Sequence, residues 1–519
     1  MKRLLGASIL AVAAVAAALL VLRSAERNLG FSPDSVSYFT MAEGIQSGQG
    51  FVDVRRYSTP VKPVYPPGYS LLLAAAGRAG GDLMASIPAL HAALFALGAA
   101  LLAWAVGRAS DSLAVMAAGA ALFLASGDLI KLYNKVWSET AFVTFTLLFM
   151  VALARALAAG DDVARARLAT VLAAAFAGAA VIIRYPGVAA LAGGGVALLL
   201  RPGVGWGTRL RQAALFGAVG GLPLALWLGR NLTVFGRPYL GKDRAPSDFA
   251  FSSRNLELGG ETLRGWTGSP PGLFPALLAA LFLGLALAAR PRPDAKRPFR
   301  TRHLVVAAAA FAVPYVAFML AGTYRYGLHK PLDTRALAPL FAPILITLLL
   351  AAHATAQAFG RRFPASRGRR RVGHTVAAAA LVALLVSAGR SAYLASDPAK
   401  TFGILQKPAR AVVEAFKDVE PQGKVFTNID DYLYLLTGKS CLRLPQVYSL
   451  DSREIRLPDF DEKFEILDRE LGDRGLVVFY SPSRRHYLPS EEELLRRLPL
   501  EVLERTADGT IYRVDRRKP

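Results

Sequence analysis

Residues 4–22 read LLGASILAVAAVAAALLVL, nineteen consecutive residues without a charged side chain. An α-helix rises about 1.5 Å per residue, so a run of this length can cross the roughly 30 Å hydrocarbon core of a bilayer. Ten further apolar runs follow, near 85–106, 113–125, 137–157, 168–183, 187–200, 213–228, 272–289, 304–321, 336–356 and 375–392. The sequence therefore predicts an α-helical polytopic membrane protein with about eleven transmembrane helices.

The distribution of charge agrees with this class. The 519 residues are 53% hydrophobic and 19% charged, with a formal net charge of +23. The densest basic runs are RPRPDAKRPFRTRH at 290–303 and RRFPASRGRRR at 361–371, and both lie in short loops between apolar runs. Lys2 and Arg3 predict a cytoplasmic N-terminus, and alternation of the helices then puts both basic runs on the cytoplasmic side. The positive charge therefore does not indicate a nucleic-acid partner.

The first apolar run has one alternative interpretation. Because Lys2 and Arg3 precede it, it could be a cleaved signal peptide, although its length favours a spanning helix. Either interpretation puts residue 23 outside the cytoplasm. The single Cys441 excludes an intrachain disulfide and a metal site with several cysteines.

Two modules are expected. Residues 1–394 form the transmembrane module, with a long first outer loop at 23–84, and residues 395–519 form a small extracytoplasmic α/β domain. In this domain the charges are mixed and the long apolar runs stop. The segments KVFTNI at 424–429 and GLVVFY at 475–480 predict strands, EEELLRRL at 491–498 predicts a helix, and EVLERTADGTIYRV at 501–514 predicts a strand–turn–strand.

Two acidic residues are candidates for chemistry at the outer face. Asp34 follows Ser32-Pro33, a capping hydroxyl and a helix-starting proline that predict a short surface helix over 34–43. Glu139 lies in KVWSETAF at the start of the fourth apolar run. Each acid could simply complement a helix dipole. Acidic residues at a membrane surface are nevertheless costly and often functional.

Basic residues are also expected on the outer side, at Lys62, Lys131, Arg184, Arg230, Arg325 and Arg335. Any one of them could extend to the lipid headgroups and do nothing else. If several converge, they would form an anion site, for which guanidinium groups are well suited. The Pro pair in YPPGYS could be only a rigid turn.

The order of these segments resembles the GT-C superfamily of membrane glycosyltransferases. The resemblance is strongest to bacterial proteins that are similar to glycosyltransferase family 39. That group is related to the protein O-mannosyltransferases and to the lipid A aminoarabinose transferase. The matching segments cover most of the chain. They are DSVSYFTMAEGIQSGQGF at 34–51, VKPVYPPGYSLLLA at 61–74, SET at 138–140, IIRYPG at 182–187, RNLTVFGRPY at 230–239, DTRALAP at 333–339 and VFTNIDDYLYLLTGKSCLRLP at 425–445.

The resemblance implies an inverting transfer of a hexose or pentose from a polyprenyl-phosphate donor to an acceptor hydroxyl. Asp34 would be the general base, and Glu139 a second catalytic acid that orients the acceptor or helps to hold a metal. The implied donor-phosphate contacts are Lys62, Arg335 and, more weakly, Arg184; Tyr65 and Tyr69 beside the Pro pair are candidates for acceptor or other contacts. The implied acceptor is a lipid, a glycan or a protein. The Ala- and Arg-rich composition and the lack of eukaryotic sorting signals favour a bacterial inner membrane, with undecaprenyl phosphate as the lipid; in a eukaryote or an archaeon the lipid would be dolichyl phosphate.

Two departures from the relatives matter. Asp34 is followed by Ser35, whereas the protein O-mannosyltransferases carry two adjacent acids there, which argues against their type of acceptor. The acidic metal-binding pattern of the oligosaccharyltransferases is absent from this region. The resemblance therefore implies no certain cofactor, and a divalent cation stays an open alternative.

Three other functions compete with a transferase. A transporter or lipid flippase would also have many helices, but it is expected to carry repeated halves and polar broken helices near the bilayer midplane. A polysaccharide polymerase or ligase would carry its large loop late in the chain. A noncatalytic scaffold would not need Asp34 or Lys62.

Overall fold

The computed structural model describes residues 1–26, 29–61, 64–160, 162–238, 252–267, 301–325, 332–362, 389, 393, 410–448, 456–483 and 485–516. The predicted span at 272–289 lies outside these residues, and so does nearly all of the predicted span at 375–392. Within them the chain divides into two compact units, residues 1–29 with 62–401, and residues 30–61 with 402–519.

The first unit is a bundle of helices. Its described helices are α1 (Lys2–Ala25), α3 (Gly68–Gly80), α4 (Leu83–Ser110), α5 (Leu113–Leu124), α6 (Gly127–Tyr133), α7 (Glu139–Ala158), α8 (Val163–Ile183), α9 (Val188–Leu199), α10 (Trp206–Phe235), α11 (Ser253–Thr267), α12 (Thr301–Arg325) and α13 (Thr334–Arg362). Nine of the eleven predicted apolar runs fall on described residues, and each coincides with one of these helices.

The chain is a multi-pass membrane protein. Seven of the described helices are long and apolar enough to cross a membrane, and the number becomes eight if α5 and α6 count as one span bent by 59°. Helix α9, the predicted sixth span, is a shorter apolar helix. The centre of the bundle is α7, in which 16 of 20 residues are buried. The residue that opens this central helix is therefore enclosed by its neighbours.

The second unit joins part of the first outer loop to the C-terminal residues. The loop contributes helix α2 (Pro33–Gln46) and a two-stranded antiparallel ribbon of β1 (Val52–Asp53) and β2 (Thr59–Pro60). The described C-terminal residues contribute a five-stranded sheet and four helices. These are β3 (Val425–Thr427), β4 (Leu442–Arg443), β5 (Leu476–Tyr480), β6 (Leu500–Arg505) and β7 (Gly509–Val514), with α14 (Ala411–Lys417), α15 (Asp430–Thr437), α16 (Phe460–Leu471) and α17 (Glu491–Arg497).

The sheet is mixed, in the order β4-β3-β5-β7-β6. Strands β3, β4 and β5 are parallel, and β7 pairs antiparallel with both β5 and β6. The central strand β5 reads LVVFY and is buried on both faces, which accounts for its lack of polar alternation. Phe464 and Leu467 of α16 pack against it with Tyr512 of β7.

The sequence predictions for this unit are confirmed where the structure describes them. The predicted strands at 424–429 and 475–480, the helix at 491–498 and the strand–turn–strand at 501–514 are all present. The long first outer loop, by contrast, divides: residues 30–61 group with the C-terminal residues, and the part from residue 62 onward groups with the helical bundle.

Candidate active site

Glu139 is the first residue of α7, and its side chain is fully buried. Two guanidinium groups reach the same carboxylate oxygen, because Arg184 Nη1 and Arg335 Nε both pair with Glu139 Oε1. The hydroxyl of Ser138 donates to Glu139 Oε2 at 3.4 Å and accepts from Arg184 Nη1 at 3.3 Å. A buried carboxylate requires such partners, since an unpaired buried charge is strongly destabilising.

The backbone at the end of α8 brings Arg184 to this position. Helix α8 stops at Ile183, and Arg184 has an extended backbone with φ −151° and ψ 133°. The turn Tyr185–Gly187 then leads into α9. A Cβ at Gly187 would lie 2.5 Å from backbone atoms of Ala180 and Val181, so only glycine allows the turn to fold back this closely on α8.

Contacts at the start of α13 fix Arg335. Asp333 Oδ1 accepts from the backbone nitrogen of Ala336 at 2.9 Å, an N-terminal helix cap. The backbone nitrogen of Leu332 donates to Oδ1 of the buried Asn255 at 2.8 Å, which ties the start of α13 to α11. These two contacts therefore fix the first turn of α13, which carries Arg335.

A third cation completes the cluster through an aromatic ring. The indole of Trp137 has Lys135 Nζ 4.3 Å from its centroid and the guanidinium of Arg335 4.4 Å from its centroid. Burial lowers the pKa of the Lys135 ammonium, and the positive charge of Arg335 lowers it further. We call Lys135, Arg184 and Arg335, with Glu139 between the two arginines, the outer cation cluster, after the side of the membrane on which the sequence predicts these residues.

Sequence reasoning did not single out Lys135 and Trp137. The available signal was their position in KVWSET, within four residues of Glu139. A lysine and a tryptophan at a membrane surface are also common anchors, so the pattern alone does not distinguish a site from an interface belt.

Tyr69, a predicted contact residue, is buried and belongs to a hydrogen-bonded relay in the bundle. His91 Nδ1 lies 2.7 Å from the carbonyl oxygen of Tyr133, which can only accept. A neutral His91 therefore accepts at Nε2 from the Tyr69 hydroxyl, 2.7 Å away. The relay joins the start of α3 to the end of α6, just before the segment that carries Lys135. Tyr65 is half-buried in the turn that precedes α3.

Asp34, the predicted general base, belongs to the second unit. It is the second residue of α2 and is half-buried, whereas Ser35 to Ala42 are buried. Ser32 caps the helix: its hydroxyl accepts from the backbone nitrogen of Ser35 at 3.4 Å, and the Ser35 hydroxyl accepts from the backbone nitrogen of Ser32 at 3.0 Å. The helix predicted from Ser32-Pro33 is confirmed, with bounds Pro33–Gln46.

The remaining predicted basic residues do not join the outer cation cluster in the part of the chain that is described. Lys62 and the side chain of Arg325 lie outside the described residues. Lys131 is exposed and pairs with Asp128 at 3.7 Å. The guanidinium of Arg230 stacks over the ring of Trp227 at 4.9 Å.

The donor set around Glu139 does not fit a divalent cation. Its oxygen Oε1 already faces two guanidinium groups, which repel a metal ion and replace it as counter-charge. Across the described residues, no three His, Cys, Asp or Glu side chains are grouped in a way that could hold a metal. The arrangement is suited to an anion.

No protein-family model and no curated protein matches the sequence. Solved structures do match. The apo structure of ArnT from Cupriavidus metallidurans has a TM-score of 0.61 at 16% identity and covers 98% of each chain. The same protein bound to undecaprenyl phosphate has a TM-score of 0.58 at 16% identity and covers 97% of each chain.

A third match is the oligosaccharyltransferase of Archaeoglobus fulgidus in complex with Zn and sulfate. Its TM-score is 0.55 at 14% identity, over 91% of this chain and 68% of that chain. These neighbours are GT-C membrane glycosyltransferases, and their likeness shows that this chain has the GT-C fold. The resemblance drawn from the sequence is thereby confirmed for the fold.

Proposed function

We propose that this protein is an inverting glycosyltransferase that moves a sugar from a polyprenyl-phosphate donor to an acceptor hydroxyl at the outer face of the membrane. The observation that carries the proposal is the outer cation cluster. Two guanidiniums and one ammonium gather around a single buried carboxylate at the ends of membrane-spanning helices. The carboxylate of Asp333, two residues before Arg335, caps the start of α13.

The position of the cluster suits a lipid phosphate. Glu139 opens α7, Arg184 follows the end of α8, and Arg335 lies in the first turn of α13, so the helices present these residues at one end of the bundle. A polyprenyl tail stays in the hydrocarbon while its phosphate rests at the membrane surface. In the transition state negative charge grows on the leaving phosphate, and fixed cations aimed there stabilise it more than the ground state.

Asp34 is the proposed general base. The acceptor oxygen forms a bond to the anomeric carbon on the face opposite the phosphate, and the bond from that carbon to the phosphate oxygen breaks. The acceptor proton passes to the Asp34 carboxylate, and the electron pair of the broken bond leaves with the polyprenyl phosphate. A positioned carboxylate of this kind typically contributes about 10²–10⁴ in rate.

In this proposal Glu139 holds the two arginines and does not accept the proton itself. Both of its contacts with guanidinium groups use Oε1, and Ser138 donates to its other oxygen. A carboxylate with these partners is fixed in place by the donors around it. Glu139 is therefore a positioning residue for the donor phosphate contacts.

The proposed membrane is a bacterial inner membrane, with undecaprenyl phosphate as the lipid. The N-terminus is cytoplasmic and the C-terminal residues are extracytoplasmic. The basis is the positive-inside distribution of Lys and Arg, and one fold neighbour that was solved with undecaprenyl phosphate.

The test is a transfer assay with purified protein in lipid nanodiscs. Labelled polyprenyl-phosphate sugars are offered with acceptors from a membrane extract, and the wild type is compared with Asp34→Asn and with the matched control Asp418→Asn, an exposed acid of the same unit. We expect transfer by the wild type and the control, and loss of at least about a hundredfold in Asp34→Asn with donor binding unchanged. Equal transfer by all three proteins would remove Asp34 from the role of base. In sealed liposomes that carry the protein, sugar movement across the bilayer without transfer would favour a transporter.

A further inference from the structure

We infer that the C-terminal residues position the first-loop helix α2, and with it Asp34, through a buried ionic core centred on Arg55. The inference rests on the proposed role of Asp34. It assigns Arg55, Asp430 and Asp431 as positioning residues.

Arg55 is the central residue of this core. It lies in the turn between the two strands of the first-loop ribbon, and its side chain is 1% exposed. Its guanidinium pairs with Asp53 Oδ2 at 2.9 Å, with Asp430 Oδ2 at 3.2 Å and with Asp431 Oδ1. Burial would lower the pKa of Arg55, but the three carboxylates raise it above its usual range, so the side chain stays charged.

The two aspartates of α15 are held from the other side by Arg443 and Arg485. Each guanidinium bridges both carboxylates. Arg443 contacts Asp430 Oδ1 at 2.7 Å and Asp431 Oδ2 at 3.0 Å, and Arg485 contacts the same two oxygens at 2.8 and 2.7 Å. Such two-pronged contacts fix orientation as well as distance. The core therefore defines one geometry for the loop residue Arg55.

Backbone contacts extend the attachment along the loop. The backbone nitrogen of Cys441 donates to the carbonyl oxygen of Arg55 at 2.7 Å, and the Ser440 hydroxyl donates to that of Val54 at 2.9 Å. The hydroxyl of Tyr57 accepts from the backbone nitrogen of Val425 at 2.7 Å. Segment 54–57 is therefore bonded to strand β3 and to the residues just before β4.

A separate contact holds helix α2 itself. The Tyr434 hydroxyl of α15 donates to Glu43 Oε2 at 2.7 Å, and Glu43 lies on the same helix as Asp34. A helix of 14 residues moves as one body, so a shift at Glu43 or at the ribbon shifts Asp34 as well. A misplacement of about 1 Å can cost about a hundredfold in rate.

The test uses hydrogen exchange and transfer kinetics on the full-length protein in nanodiscs. The variants are Arg55→Met, Arg55→Lys and Tyr434→Phe, and the matched control is Arg513→Met, which breaks an exposed pair with Glu501. We expect exchange of the 33–46 amides to rise about tenfold or more in Arg55→Met and Tyr434→Phe, with smaller change in Arg55→Lys and none in the control. The transfer rate constant should fall in the same order, with KM for the donor unchanged.

Two further readouts separate the possible outcomes. The amides of β5 report whether the second unit is still folded. If these amides exchange freely in Arg55→Met, that variant is unfolded, and Tyr434→Phe and Arg55→Lys then show whether the ionic core positions α2. In an Asp34→Asn background, Arg55→Met should reduce transfer no further, because its effect acts through Asp34.

Unchanged exchange at 33–46 in the folded variants would overturn the inference, and so would a full additional loss of transfer in the Asp34→Asn background. If the wild type transfers no sugar, or if Asp34→Asn transfers normally, the proposed function fails. The exchange result still decides whether the ionic core holds α2.

Discussion

Two clusters of buried charge in the described part of the chain are built differently. In the outer cation cluster, two guanidiniums converge on one carboxylate oxygen of Glu139, and Lys135 lies across the ring of Trp137 from Arg335. In the ionic core of the second unit, three carboxylates meet four guanidiniums, and each guanidinium pairs with at least two of the aspartates. The fourth guanidinium is that of Arg56, which lies 3.5 Å from Asp53 Oδ2 and 3.9 Å from Asp430 Oδ2. The members of the core are Asp53, Asp430, Asp431, Arg55, Arg56, Arg443 and Arg485.

The difference indicates different uses. The outer cluster as defined holds three cations and one carboxylate, so positive charge is in excess. An excess of fixed cations favours the binding of a further anion. In the ionic core the carboxylates and guanidiniums nearly match in number, and such a network fixes one arrangement of the chain. The first cluster is suited to binding and the second to positioning.

Removal of the shared carboxylate should have the largest effect on the helical unit. In Glu139→Gln two guanidiniums lose the charge that brings them together. Removing one partner of a buried pair typically costs about 3–5 kcal/mol, so we expect a clearly lower midpoint of thermal unfolding. Glu257→Gln, an exposed acid on α11, is the control and should leave the midpoint unchanged. A Glu139→Gln protein as stable as the wild type would mean that the cluster is not organised by this carboxylate.

A similar change in the ionic core should destabilise the second unit but leave the donor bound. Asp431→Asn removes a carboxylate that pairs with Arg55, Arg443 and Arg485. We expect a loss of about 3 kcal/mol, because Asp430 still faces the same guanidiniums. Asp461→Asn breaks only an exposed pair with Arg497 and should cost under about 1 kcal/mol. Denaturant unfolding, monitored by amide exchange at β5, measures the loss of stability in both variants. If Asp431→Asn also lost donor binding, the two clusters would not have the separate uses described above.

Neutralising an arginine of the outer cluster should act on transfer more than on stability. Arg335→Met removes a donor proposed to face the leaving phosphate, and the loss of one such donor typically reduces kcat by about 10²–10³. Arg211→Met, an exposed arginine near the start of α10, serves as the control. The kinetic comparison would count against the phosphate role if both variants kept the rate of the wild type.

The smallest effect concerns pH. Burial, with the nearby charge of Asp53, raises the pKa of Glu43 to about 7, although the Tyr434 hydroxyl lowers it in part. The folded protein binds this proton more tightly than the unfolded chain does. Protonated Glu43 therefore stabilises the fold at low pH, and this stabilisation is lost as pH rises from about 4.5 to about 7. The protection of the 33–46 amides, measured relative to their intrinsic exchange rates at each pH, should therefore decrease over this range. Glu43→Gln should remove that part of the pH dependence, and an unchanged pH profile would contradict the assignment.

Much of the fold could be predicted from the sequence, because apolar length and turn chemistry are local. The runs at 85–106 and 304–321 coincide with helices α4 and α12, and the Ser32-Pro33 pair marks the start of α2. The grouping of residues 30–61 with the C-terminal residues could not be predicted. It depends on pairs such as Arg55 with Asp431, which are 376 residues apart in the chain.

The candidate site was partly predictable for the same reason. Glu139, Arg184 and Arg335 were expected at helix ends on one side of the membrane, and the structure brings these three together. The contribution of Lys135 through the Trp137 ring depends on the conformation of the segment between α6 and α7. No periodic pattern in the sequence specifies that conformation.

The binding of polyprenyl phosphate decides whether the outer cation cluster holds the donor phosphate. Native mass spectrometry compares the detergent-purified wild type, an Arg184→Met/Arg335→Met double variant and Asp431→Asn. We expect the wild type and Asp431→Asn to retain the lipid phosphate, and the affinity of the double variant to fall by at least about a hundredfold. Equal binding by all three proteins would show that the outer cation cluster does not bind the donor phosphate.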